Sequence, residues 1–140
     1  MFTKQFKDDN MELSIDNNIL IIKGQMRYPS LSEYRECKRF LWESIPYLSN
    51  QDSFVINIEC LEYMNSSGQA IINMFILELK KNSSHTQLSI YGTCEYEWQE
   101  KFLYTAKQLW NSTSKAITLY LNGIITQDPI KKFKNVNAWK

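Results

Sequence analysis

Residues 54–75 read FVINIECLEYMNSSGQAIINMF, and their reading decides the fold. In the first half Phe54, Ile56, Ile58 and Cys60 fall on one face and Asn57 and Glu59 on the other, the period-two alternation of a strand with one wet side. In the second half Ile71, Ile72, Met74, Phe75 and Ile76, followed by Leu79, surround much of a helical circumference, so this helix is expected to be the most buried one. Between the two lie Asn65, Ser66, Ser67 and Gly68. The first three have good capping chemistry, and the glycine permits close approach of helix to sheet. A strand buried on both faces would not alternate so cleanly, so the sheet is expected to carry its helices mainly on one face.

Upstream, ELSIDNNILIIKGQM (residues 12–26) alternates around DNN and reads as a hairpin. PSLSEYRECKRFLWESIPYL follows, with Ser30 and Glu33 at capping-box spacing. Leu31, Tyr34, Cys37, Leu41, Ile45 and Leu48 form one stripe of a helix expected to end near Pro46. Downstream come a strand QLSIYG and a helix YEWQEKFLYTAKQLW with Trp98, Phe102, Thr105, Ala106 and Leu109 on or beside its inner stripe, then a strand AITLYLNG. The tail from Asp128 reads as a short helix, with Pro129 at its first position. The expected fold is α/β, a mixed sheet of about five strands in the order β-β-α-β-α-β-α-β.

The 140 residues suit a single domain, 1–140, with a core at about 12–122 and a tail at 123–140. A formal charge of +1 with scattered lysines argues against nucleic acid. The basic cluster of Lys131, Lys132 and Lys134, with Ile130, Phe133 and Val136 spaced by three, reads first as a solvated face docked on its own domain and second as a membrane-surface or partner helix. MFTKQFKDDN lacks the apolar run of a signal peptide and no segment is long enough to span a membrane, which implies a cytoplasmic protein. In such a compartment the sequons at Asn65, Asn82 and Asn111 are chance matches, and Cys37, Cys60 and Cys94 are reduced, mostly buried packing residues rather than a disulfide framework or a zinc site.

Four glycines, at 24, 68, 92 and 123, build neither a phosphate-binding loop nor a dinucleotide fingerprint. His85, the sole histidine, reads as an exposed turn residue without a placed nucleophile, and the carboxylates form no evident acid–base pair. No catalytic residue, metal or cofactor is assigned. The remaining candidate is the junction MNSSG, where a helix N-terminus presents free N–H groups and the positive end of the helix dipole.

FVINIECLEYMNSSGQAIINMFILELKK, preceded by a hairpin and helix and followed by QLSIYG and a further helix, resembles a STAS domain, the fold of bacterial anti-sigma-factor antagonists. The resemblance covers about residues 12–122 and rests on element order together with the strand-Ser-Ser-Gly-helix join. MNSSG with the later Trp98-Gln99 also resembles a subgroup of uncharacterised bacterial STAS-like regulators that has Asn-Ser-Ser-Gly. In the wider family a strand ends in Asp-Ser-x-Gly, and the first serine accepts phosphate from a partner anti-sigma kinase. Carried over, Ser66 matches the phosphoacceptor, Ser67 the variable position and Gly68 the glycine, while Asn65 stands where the family has aspartate. The resemblance implies a non-enzymatic regulatory module opposed by an anti-sigma-like serine kinase and a PP2C-type phosphatase. Two other readings use the same residues: a constitutive scaffold in which Asn65, Ser66 and Ser67 only cap the helix, and a small-ligand or lipid-binding module suggested by the many aromatics.

Overall fold

A computed structural model describes residues 2–110 and 117–122, together with the backbone of 133–135. In chain order the elements are β1 (Thr3–Lys7), β2 (Met11–Asp16), β3 (Ile19–Met26), a 3-10 turn (Leu31–Tyr34), α1 (Arg35–Leu48), β4 (Ser53–Asn57), β5 (Leu61–Met64), α2 (Ser66–Asn82), β6 (Gln87–Thr93), α3 (Glu97–Trp110), β7 (Ile117–Asn122) and β8 (Phe133–Asn135). The fold is α/β with a mixed sheet ordered β1-β2-β3-β4-β6-β7-β8, and β5 lies beside β3 beyond the end of β4.

The β2–β3 hairpin turns at Asn17, whose φ of 57° is in the left-handed region that asparagine tolerates. From β3 onward the central strands β3, β4, β6 and β7 are parallel and follow one another in chain order. Crossovers that always step in one direction put α1, α2 and α3 on one face, and the strand order never reverses to open a nucleotide crevice. The helix-side positions, among them Leu20, Ile22, Phe54, Ile56 and Ile90, are fully buried, whereas Ser14, Ile21, Val55, Asn57 and Ser89 on the opposite face are half-buried. Helix α2 is central, packed between α1 and α3. Its inner face of Ile71, Ile72, Phe75, Ile76 and Leu79 is closed off, Phe75 meeting Phe54 edge-on at 6.1 Å.

Several elements depart from the sequence reading. The expected five strands are eight among the described residues. Strand β1 forms in a segment with little alternation because its half-buried side is completed by α1: Phe6 lies 6.1 Å from Phe40, Phe2 stacks on Tyr47 at 4.0 Å, and Lys4 pairs with Glu43. The single strand read through residues 53–64 breaks in two. Asn57 Oδ1 accepts from the N–H of Glu59 at 2.9 Å and Leu61 N–H turns back to Ile58 O, so β4 ends and β5 resumes farther along β3. That turn puts Cys60 at the surface, against the expectation of a packing residue; Cys37 is buried and Cys94 half-buried.

The first helix begins with a 3-10 turn that leaves Leu31 exposed, and α1 continues through Pro46 to Leu48, because a proline in the last turn removes one hydrogen bond and leaves the preceding ones intact. Ser30 Oγ bonds to Glu33 rather than to a backbone N–H. The inner stripe of α3 is Gln99, Phe102, Leu103, Ala106 and Trp110, rotated from the expected one. Of the tail read as a helix, Phe133–Asn135 is instead a strand paired antiparallel to β7; Asp128, Pro129, Lys131 and Lys132 lie outside the described residues.

Candidate functional site

The end of β5 and the start of α2 lie where β3 ends, with Met64 in register with Met26. The Asn65 N–H extends that ladder by one bond to Met26 O at 2.9 Å before the chain turns into the helix. Asn65 is the N-cap, with extended backbone, and Ser66, Ser67 and Gly68 occupy the first helical turn. Asn65 Oδ1 accepts from the N–H of Gly68 at 2.8 Å, and its backbone carbonyl accepts from Gln69.

Two further bonds hold the Asn65 side chain, and a third braces the tyrosine that makes one of them. Its Oδ1 also accepts from Tyr34 Oη at 3.0 Å, its Nδ2 donates to Tyr28 O at 2.7 Å, and Tyr34 Oη in turn accepts from the Tyr28 N–H at 3.1 Å. The amide orientation follows from chemistry, since a flipped amide would aim its NH2 group at the Gly68 N–H. Tyr34 is fully buried, and burial, the largest cause, pushes its phenol up to about 12, so the hydroxyl keeps its proton to donate. Tyr28 continues the network outward by donating from Oη to the carboxylate of Asp8. Burial of Asp8 favours its neutral form, but this is outweighed by hydrogen bonds from Tyr28 and the N–H groups of Met11 and Asn10, and its pKa lies below the ordinary carboxylate value.

Gly68 fits because the helix enters the sheet closely: a Cβ there would lie 2.9 Å from Met26 Cβ and 3.0 Å from Tyr34 Oη. The two serines differ. Ser66 is exposed and Ser67 half-buried, and neither hydroxyl has a hydrogen-bond partner among the described residues. Capping thus belongs to Asn65 alone, although all three residues have the chemistry for it. From Ser66 through Leu77 the helix carries no charged side chain, and its outer line runs through Ala70 and Met74 to the exposed Leu77. Leu31 and Tyr63, each about half exposed, come from the two segments that meet at the start of α2.

Tyr28 and Tyr34 were not legible as members of this site, since nothing local marks them. Trp98 and Gln99 are brought instead to the turn that precedes it. Trp98 Nε1 donates to Glu62 O at 3.1 Å; the buried Gln99 donates to Ile58 O and Leu61 O and accepts from the Thr93 N–H at 2.8 Å. They staple α3 to the β4–β5 turn and to the start of β5. His85 is exposed as expected, but it has neighbours: Nδ1 lies 3.2 Å from Ser84 Oγ and Nε2 3.3 Å from Asp52 Oδ1. The Asp52 side chain is fully exposed, whereas a triad histidine is oriented by a shielded carboxylate.

Among the described residues no group of three or more His, Cys, Asp or Glu side chains is placed to hold a metal ion, and no helix is long and apolar enough to cross a membrane. A shallow cavity of about 180 Å³ lies at the β1–β2 turn, lined by Lys7, Asp8, Asp9, Glu12 and Lys23 among others. Compared with models of known protein families and with curated protein sequences, the chain matches none.

Proposed function

We propose that this protein is a STAS-like regulatory module, resembling an anti-sigma-factor antagonist, whose partner binding is switched by phosphorylation of Ser66. The observation that carries the reading is the division of labour at the start of α2: Asn65 alone caps the helix, and Ser66 is exposed with its hydroxyl uncommitted. A serine needed only as a cap would be engaged. Asn65, Ser67 and Gly68 form the environment of the phosphosite, and the uncharged outer line of α2 extends the binding surface.

Phosphate on Ser66 adds roughly 1.5 to 2 negative charges at a helix N-terminus, where the dipole returns about 0.3–2 kcal/mol, so the modified domain stays folded. An interface that covers the neutral hydroxyl has to desolvate the new charge, at a cost on the order of 2–5 kcal/mol. The second effect wins, and binding weakens by roughly 30-fold or more. Asparagine in place of aspartate lessens like-charge repulsion beside the phosphate.

The implied partners are an anti-sigma-like serine kinase and a PP2C-type phosphatase in the cytoplasm; the module itself performs no catalysis. Capture of the partner by wild-type, Ser66→Ala and Ser66→Asp proteins tests this directly. Wild type and Ser66→Ala are expected to retain the partner and Ser66→Asp to lose it; equal retention by all three would leave a constitutive scaffold.

A further inference from the structure

We propose that Tyr34 is the positioning residue of the Ser66 site, holding the Asn65 amide in the one orientation that caps α2 and thereby fixing the first-turn N–H groups around Ser66. The proposal rests on the reading of Ser66 as the phosphoacceptor. Tyr34 precedes α1 and lies 31 positions from Asn65, yet its buried hydroxyl is spent entirely on this site: it accepts from Tyr28 N–H at 3.1 Å and donates to Asn65 Oδ1 at 3.0 Å. The same Tyr28 residue takes the Asn65 Nδ2–H on its carbonyl at 2.7 Å, which closes a ring of hydrogen bonds.

Within that ring each donor has one acceptor, so the amide cannot rotate without orphaning a buried group. The Gly68 N–H is committed to Asn65, and the N–H groups of Ser66 and Ser67 are left facing no acceptor among the described residues. These two are the donors that a phosphate on Ser66 meets. A phenylalanine at 34 keeps the ring packed against Tyr28 but removes one of the two donors on Asn65 Oδ1 and leaves the Tyr28 N–H without its acceptor, so the amide and the donors around Ser66 are held less firmly.

The test uses full-length protein with phosphoserine installed at position 66 during translation, so that the phosphate is present whatever kinase the cell has. Its second ionisation is followed by 31P NMR at a temperature where every variant is folded. In Tyr34→Phe the phosphate is expected to titrate higher than in wild type by about 0.2–0.7 pH unit. A Leu41→Ala control, which opens a cavity on the buried face of α1 two turns beyond Tyr34, is expected to titrate as wild type does. Should Tyr34→Phe not fold, Asn65→Ser, which shortens the acceptor out of reach of Tyr34, is read in the same way. Identical titration of wild type and the network variant, or an equal shift in the Leu41→Ala control, overturns the proposal. Absence of phosphoserine from the protein in its own cells would instead overturn the switch and leave the titration result standing.

Discussion

Asn65 Nδ2 donates to the carbonyl oxygen of Tyr28 at 2.7 Å and joins the start of α2 to the segment after β3 across 37 positions of sequence. The bond requires an amide. An aspartate would keep the acceptor for Gly68 and Tyr34 but turn a second oxygen toward a carbonyl, so asparagine here is a residue with its own structural role and not a weakened carboxylate.

Asn65→Asp is therefore expected to lose about 1–2 kcal/mol at neutral pH and Asn65→Ala about 2–3 kcal/mol, the latter losing the cap as well. Urea denaturation with unchanged slope reads both. An Asn65→Asp protein as stable as wild type would show that the donor to Tyr28 contributes nothing.

Because Ser66 takes no part in the cap, Ser66→Ala and Ser66→Asp are expected to stay within about 0.5 kcal/mol of wild type, the aspartate on the stabilising side through the dipole. The same denaturation curves decide. A loss above about 1 kcal/mol in Ser66→Ala would mean that its hydroxyl has a structural role after all.

Gly68→Ala sets two effects against each other. Alanine gains about 0.8–1 kcal/mol of helix propensity, and the new methyl, 2.9 Å from Met26 Cβ, costs about 1–3 kcal/mol of overpacking. A net loss of about 1 kcal/mol is expected. A raised Tm would show that the helix shifts without strain.

Gln99→Glu puts a carboxylate where two carbonyls, Ile58 O and Leu61 O, now receive N–H donors in a fully buried place. Burial raises the folded-state pKa of the new acid above its unfolded value, so its neutral form is tolerated at low pH and stability falls as pH rises through the folded pKa. A deficit of about 3 kcal/mol or more at pH 7 that narrows below about pH 5 is the expected pattern.

Asp8 behaves in the opposite sense. Its folded pKa is depressed, so the stability it contributes is present above the unfolded value of about 3.9 and is lost as pH falls through the folded one. Tyr28→Phe removes the bond from Tyr28 Oη. After discounting for its partial exposure, that bond is worth roughly 0.5–1 kcal/mol at neutral pH. The gap between wild type and Tyr28→Phe is expected to close toward about pH 2–3; a gap independent of pH would assign the loss to packing.

The alternation of Phe54, Ile56 and Ile58, the inner face of α2 and the hairpin around Asn17 were all legible in the sequence, because each depends on residues a few positions apart. So was the junction at Asn65 to Gly68, including the close approach at Gly68, since capping chemistry is local. The sequence by itself therefore determined an α/β chain with one-sided helices and a polar strand-to-helix join. Tertiary structure alone decided which residue at that join caps, which serine faces solvent, and that Tyr28 and Tyr34 belong to the site. Those outcomes depend on hydrogen bonds spanning 31 and 37 positions, as the burial of Gln99 depends on one spanning 41, and no local period reports such partners. Strand β1 and the β4–β5 break have the same origin: α1 completes the face of one, and the free edge of β3 receives the other.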